Sequence, residues 1–152
     1  MTTAERRSTI ADVLHTMEHR IPPTIPEDAA FPEIIHAFCR ARHSRLLYVV
    51  DHASTLRGVI SLGRLIRHQY PALHEPQIHT RRLLGSLQCE IAEHIMQRKV
   101  VTARADDTVD KVLKQMIHKN VKELPIIDSR NRVVADLTVV DLLEHRSQPP
   151  TA

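Results

Sequence analysis

The sequence predicts an α+β fold made of two βαββα repeats packed with pseudo-twofold symmetry, their sheets facing across a central cleft. Three observations carry that expectation. Matching segments recur in the same order at a nearly constant spacing. Each set combines short β-branched runs with a helical apolar stripe. Each set is also only about 60 residues long, too small to cover its own sheet with a stable core.

The recurrence is plainest near the C-terminus, where "DLTVVDLLEH" from Asp136 repeats "VISLGRLIRH" from Val59, 77 positions earlier. Leu137, Val139, Leu142 and Leu143 answer Ile60, Leu62, Leu65 and Ile66, and Thr138 answers Ser61 with a hydroxyl kept. Asp51 and Asp128 close the apolar runs "LLYVVD" and "LPIID" at the same spacing. Phe31, Ile34, Ile35 and Phe38 match Val109, Val112, Leu113 and Met116 at 78, and Met17 matches Met96 at 79. Two one-residue differences in loop length account for the drift.

Each copy spells the same order of elements. In the first, "IADVLHTM" is a helix and "PPTI" a short strand. "FPEIIHAFCRARH" follows as an amphipathic helix whose Pro32 sits in the first turn, where the missing N–H costs little. "LLYVVD" and "LRGVIS" are strands, and "LGRLIRH" is the closing helix. In the second, "EIAEHIM" is helical and "KVVTA" a β-branched strand. "DDTVDKVLKQMIHKN" is the amphipathic helix, capped by Asp107 or Thr108. "ELPIID" and "RVVADLT" form strands around the polar turn "SRN", and "VVDLLEHR" closes the repeat. The expected limits are 10–69 for the first repeat, 70–88 for a connector and 89–146 for the second repeat, with flexible termini at 1–9 and 147–152. Pro71 and Pro76 mark the connector, in which "RRLLGSL" is expected as a short helix.

Composition excludes several classes of function. No apolar run approaches the ~20 residues of a membrane span, and "MTTAERRSTIADV" has no signal-like apolar core. Cys39 and Cys89 form no CxxC, which suits a reducing cytoplasm. With Gly58, Gly63 and Gly85 the only glycines, neither GxGxxG nor a Walker loop can be present. The net charge of +3 arises from 21 basic and 18 acidic residues that are dispersed, and aromatics make up 3%, too few for base-stacking platforms. No nucleic-acid partner and no membrane insertion are therefore expected. His15 and His19 stand at i, i+4, but no nearby ligand completes a metal set, and His68, His74 and His79 are scattered. No nucleophile has a partner at a catalytic spacing, so no enzyme activity is expected.

The ordered motifs "IMQRKVVTA", "KELPIID" and "VADLTVVDLL", answered by "TMEHRIPPTI", "SRLLYVVD" and "RGVISLGRLI", resemble a tandem pair of cystathionine-β-synthase (CBS) domains, a Bateman module. The resemblance runs from about Ile10 to Arg146, with two departures: Ala135 stands where the first copy has the usual glycine, Gly58, and the connector is long. It implies a freestanding cytoplasmic regulatory module, disc-shaped as a homodimer, that senses AMP, ADP, ATP or S-adenosylmethionine for an unknown regulated protein. It implies no cofactor in the catalytic sense.

Thr138 and Asp141 carry the chemistry. A carboxylate accepts a charge-assisted pair of hydrogen bonds from the two hydroxyls of a ribose, and a helix start beside it favours phosphate. The family's hydroxyl-x-x-Asp ribose pattern maps onto these two residues. The same four-residue spacing is also a variant of the capping box, which only satisfies the helix end. Ser61 keeps the hydroxyl in the first copy, but Arg64 replaces the acid and cannot accept a hydrogen bond. The expectation is thus one competent and one degenerate site, with Arg64 either reaching into water or holding an anion. By resemblance, adenine lies against Thr102, Ala103, Leu124 and Ile126, and phosphate meets Lys122 and Arg45. Two other readings stay open: a ligand-free dimerisation scaffold, and a magnesium-responsive module, since "LYVVD" and "LRGVISL" also resemble the cytosolic part of magnesium transporters.

Overall fold

The computed structural model describes residues 7–69 and 90–149. The connector, the helix expected at "RRLLGSL", and His74, His79, Gly85 and Cys89 lie outside the described residues. The first repeat contains α1 (Ile10–Thr16), β1 (Thr24–Pro26), α2 (Phe31–Arg40), β2 (Leu46–Val50), β3 (Leu56–Ser61) and α3 (Leu62–Gln69). The second contains α4 (Ala92–Ile95), α5 (Val109–Lys119), β4 (Glu123–Ile127), β5 (Val133–Thr138) and α6 (Val139–Ser147).

In the first sheet β1 runs parallel to β2, and β2 is antiparallel to β3. In the second, β4 and β5 are antiparallel. The strand expected at "KVVTA" shrinks to a single parallel bridge between Ala103 and Ile126, so this sheet has two strands where its counterpart has three. The duplication survives even in the irregularities. Both hairpins carry a register shift, at Val49/Val50 and at Ile126/Ile127. Asp51 Oδ1 accepts from the N–H groups of Ala53 and Thr55, and Asp128 Oδ1 from those of Arg130 and Arg132. These side-chain turns leave Ser54 and Asn131 in the left-handed region at φ 64° and 61°.

The opening helices exchange places, which the order of elements alone did not suggest. The buried side chains of α1, Ile10 and Val13, belong to the core of the second repeat, with Val112, Met116, Leu124, Ile126, Leu137 and Leu142. Ala92 and Ile95 of α4, followed by Met96, complete the core of the first repeat, with Ile34, Leu47, Val49, Ile60 and Leu65. Backbone pairs fix both crossings. Ile10 N donates to Asp107 O at 2.9 Å and Ala11 N to Ala105 O at 2.8 Å, while Ala92 N donates to Ala29 O and Glu93 N to Glu27 O, both at 2.9 Å. Burying an aliphatic side chain is worth about 1.5–3 kcal/mol, so each core is completed by the other copy. Ser8 and Thr9, expected to be flexible, are held: Val109 N donates to Ser8 O, and Thr9 caps α1 in a capping box with Asp12.

A third cluster, of Tyr48, Leu56, Val59 and Ile127, joins the two sheets to each other. The hairpin turns clasp there, Leu56 N donating to Asn131 O at 2.9 Å and Val133 N to Ser54 O at 3.2 Å. The starts of α3 and α6 are thereby brought to one side.

Candidate ligand cleft

Both of those helix starts open on a cleft of about 1080 Å³. Its walls pair up across the pseudo-dyad: Arg45 with Lys122, Ser61 with Thr138, and Leu62 with Val139. Among the expected site residues, Thr138, Asp141, Ser61, Arg45 and Lys122 are therefore brought together. Arg64 is not part of the lining, and neither are Thr102, Ala103, Leu124 and Ile126. Ala103, Leu124 and Ile126 are buried in the core of the second repeat. The cleft is lined instead by the segment that leads into β4, Asn120 to Glu123. The apolar walls are Leu46, Leu62, Ile66, Val121, Val139 and Val140.

Asp141 also lines a second cavity, of about 290 Å³, together with Thr16, Met17, His19 and His145. The exchange of opening helices explains this neighbourhood: it carries residues 16–20 of the first copy to Asp141 of the second. The cap alternative is realised in full. Asp141 Oδ2 accepts from Thr138 N at 2.8 Å and Thr138 Oγ1 at 2.9 Å, and Thr138 Oγ1 accepts from Asp141 N at 3.2 Å.

The carboxylate has one more partner. Arg20 donates from Nη2 to Asp141 Oδ2 at 2.6 Å and from Nη1 to Oδ1 at 3.2 Å. Its Nε also meets both oxygens of Asp136 at 3.2 Å. Asp136 is 3% exposed and is approached by His43 Nε2 at 3.4 Å. Burial alone would raise the Asp141 carboxyl, but the guanidinium of Arg20 and the two donors of Thr138 outweigh it and hold it below the usual aspartate range. Burial likewise works against the Arg20 cation, yet its two carboxylate partners raise its pKa further. Glu123 is spent in another way, accepting from Ser44 Oγ and from Arg45 N. The buried Tyr48 hydroxyl has no hydrogen-bond partner among the described residues; burial first, then the charges of Asp136 and Glu123, push its pKa up.

The first half-site is built without an acid. Arg64 Nε donates to Ile95 O at the end of α4, so its cation caps a helix C-terminus while the residue stays exposed to solvent, and Arg64 does not line the cleft. Ser61 Oγ accepts from Arg64 N at 3.1 Å. Val59 and Gln97 exchange two backbone hydrogen bonds, at 2.9 and 2.8 Å. That approach needs Gly58, because a Cβ there would lie 2.6 Å from Met96 Sδ and 2.8 Å from Gln97 O. In the second repeat Ala135 supplies such a Cβ. No bridge between Asp136 and Glu18 forms among the described residues, and Glu18 lines the 290 Å³ cavity instead.

Reading for a binding pattern missed Arg20, Asp136, Glu123 and His43. A signal was available for the acids, since Glu123 and Asp136 occupy the positions of Leu46 and Val59 in an otherwise apolar alignment. Arg20 matches Lys99 and looked like an ordinary surface charge. Cys39 is exposed. No group of three or more His, Cys, Asp or Glu able to hold a metal occurs among the described residues. No helix of the described residues is long and apolar enough to cross a membrane.

The family model for the CBS domain matches residues 19–70 and again residues 92–148. The chain belongs to the CBS domain family. Among solved structures, a CBS domain-containing protein from Thermotoga maritima superposes with TM-score 0.73 at 22% identity, over 97% of this chain and 100% of that one. The CBS domain pair of protein MJ0100, in complex with 5′-methylthioadenosine and S-adenosyl-L-methionine, gives TM-score 0.67 at 23% identity, over 92% and 96% of the two chains. These likenesses show the fold of a CBS pair. Other CBS neighbours were solved with ATP and with AMP. Among curated proteins, the magnesium transporter MgtE of Thermus thermophilus is 32% identical over 98 residues, 64% of this chain and 18% of the transporter. The chain spans between 12% and 36% of the length of the first curated relatives it matches.

Proposed function

We propose that the protein is a non-catalytic, cytoplasmic regulatory module that binds an adenosyl compound in this cleft and signals its occupancy to a partner protein. The observation that carries the reading is Asp141, an acid at a helix start that borders both cavities at the junction of the repeats. The ribose hydroxyls donate to its carboxylate, and the base lies on the apolar walls. A 5′ phosphate reaches Arg45 and Lys122, which flank the starts of α3 and α6. Binding of AMP, ATP, 5′-methylthioadenosine and S-adenosyl-L-methionine by CBS neighbours supports the ligand class.

The same reading takes the working form as a homodimer. Ile66 and Leu143 are 49% and 57% exposed at matching positions of α3 and α6, which gives a second copy an apolar face to cover.

A thermal-shift panel of AMP, ADP, ATP, S-adenosylmethionine and magnesium tests the function. A ligand at 100 times its Kd adds about 2.7 kcal/mol of stability. Asp141→Asn keeps an acceptor for the helix cap and loses the charge that favours the ribose, so it is expected to abolish the gain. No shift with any adenosyl compound, or a full shift in Asp141→Asn, defeats the reading; a shift with magnesium alone favours the cation-responsive alternative.

A further inference from the structure

The notch that this function assigns to a ribose is occupied by the protein's own Arg20. A sugar diol that reaches Asp141 meets two oxygens that already accept from Arg20 Nη1 and Nη2. The arginine is also reachable, with a side chain 27% exposed.

Its backbone is loosely tied. Among the described residues, no backbone hydrogen bond involves residues 18–21, whereas the matching Gln97 is pinned on both sides by Val59. Ile21, next in the chain, is 80% exposed. The ion pairs of Arg20 are what hold this stretch between α1, docked on the second repeat, and β1 in the first sheet.

The two ends of the guanidinium are not equally replaceable. Asp136 is 3% exposed and is met by Nε and, at 3.1 Å, by Nη2, whereas Nη1 meets Asp141 alone, so a complete departure of Arg20 would strand a buried carboxylate. Asp141 keeps both Thr138 donors when Arg20 leaves, and a sugar hydroxyl can replace the rest. A pivot about Asp136 is therefore the low-cost route.

We propose that Arg20 is a built-in competitor for the ribose notch, and that a nucleoside binds by exchanging its sugar hydroxyls for the Arg20 Nη groups on Asp141. The exchange loosens residues 18–21 and so couples occupancy to the link between the two repeats. This inference rests on the adenosyl reading of the cleft.

Adenosine is the probe, because it carries no phosphate that an arginine could attract. Calorimetric titration compares the wild-type chain with Arg20→Lys, which keeps a cation for Asp136 but loses the fork that reaches Asp141. The expected result is binding about tenfold tighter in Arg20→Lys, with binding lost in Asp141→Asn. Binding confined to Arg20→Lys also supports the proposal. Equal or weaker binding in Arg20→Lys overturns it while leaving the adenosyl reading intact. No binding of adenosine, AMP or S-adenosylmethionine by either form removes the adenosyl reading, and the competitor with it. Guanidinium NMR of the wild-type chain gives a second readout: adenosine should shift the Arg20 Nη1 proton signals, which report the bond to Asp141, while Nε–H stays protected. Nη1 signals unchanged at saturation overturn the proposal.

Discussion

The half-sites at Ser61–Arg64 and Thr138–Asp141 descend from one plan and end in opposite states. In the first, Gly58 lets residues 96–97 pair with β3, and the cation of Arg64 caps α4. In the second, Ala135 has a Cβ, the matching pair is absent among the described residues, and a cavity opens beside an acid. A single methyl group thus goes with the difference between a paired edge and an unpaired one. The reversed charge follows the same division: a cation suits the carbonyl end of α4, and an acid suits a notch that already holds Arg20.

The largest effect that would break this contrast comes from Arg20→Ala. Removing one partner of a buried pair leaves an uncompensated charge, at a cost of 3–5 kcal/mol when both partners are fully buried. Arg20 is partly exposed, so about 2–3 kcal/mol is expected by urea denaturation, against no more than ~0.5 kcal/mol for Lys99→Ala at the matching exposed position. Equal effects at the two sites would mean that the second half-site is not organised around its ion pairs.

Next in size is Gly58→Ala. The Gln97 carbonyl is backbone and cannot swing aside as the end of Met96 can, so overpacking of about 1–3 kcal/mol is expected. Ala135→Gly, which only removes a methyl and loosens the chain, should cost about 1 kcal/mol or less. If Gly58→Ala is as mild as Ala135→Gly, then glycine is not what permits the paired edge.

The same comparison shows what the sequence could reveal. The repeat was legible because apolar spacing, Asp51 with Asp128 and Ser61 with Thr138 recur in register, and these features are local. The exchange of α1 and α4 was not legible, because each helix has an apolar face that would suit either core, and only the three-dimensional route of the chain decides which it meets. The site inherits that crossing, which sets Thr16, Met17 and Arg20 of the first copy beside Asp141 of the second. Asp136 could have been noticed as an acid at the position of Val59, but its partner Arg20 lies 116 residues away and no spacing announces it.

The smallest effect is one of pH, and it sharpens the comparison by acting on one half-site alone. The folded chain holds the Asp141 carboxyl below its ordinary value: burial opposes this, but Arg20 and Thr138 prevail. The unfolded chain, with an aspartate pKa of about 3.9, therefore binds the proton first as the solution is acidified. Stability from Asp141 is fully present above about pH 4 and is lost as pH falls through the depressed folded value. The difference in unfolding free energy between wild type and Asp141→Asn should accordingly be constant near neutrality and shrink below about pH 4. Asp51, Asp107 and Asp128 are also held low, but they are common to both proteins and cancel in the difference. The same measurement on Arg64→Gln should give a flat difference over that range, since arginine does not titrate there. A difference for Asp141→Asn that stays flat down to pH 2 would show that the Arg20–Asp141 pair contributes nothing to the fold, and that the notch is held shut by packing alone.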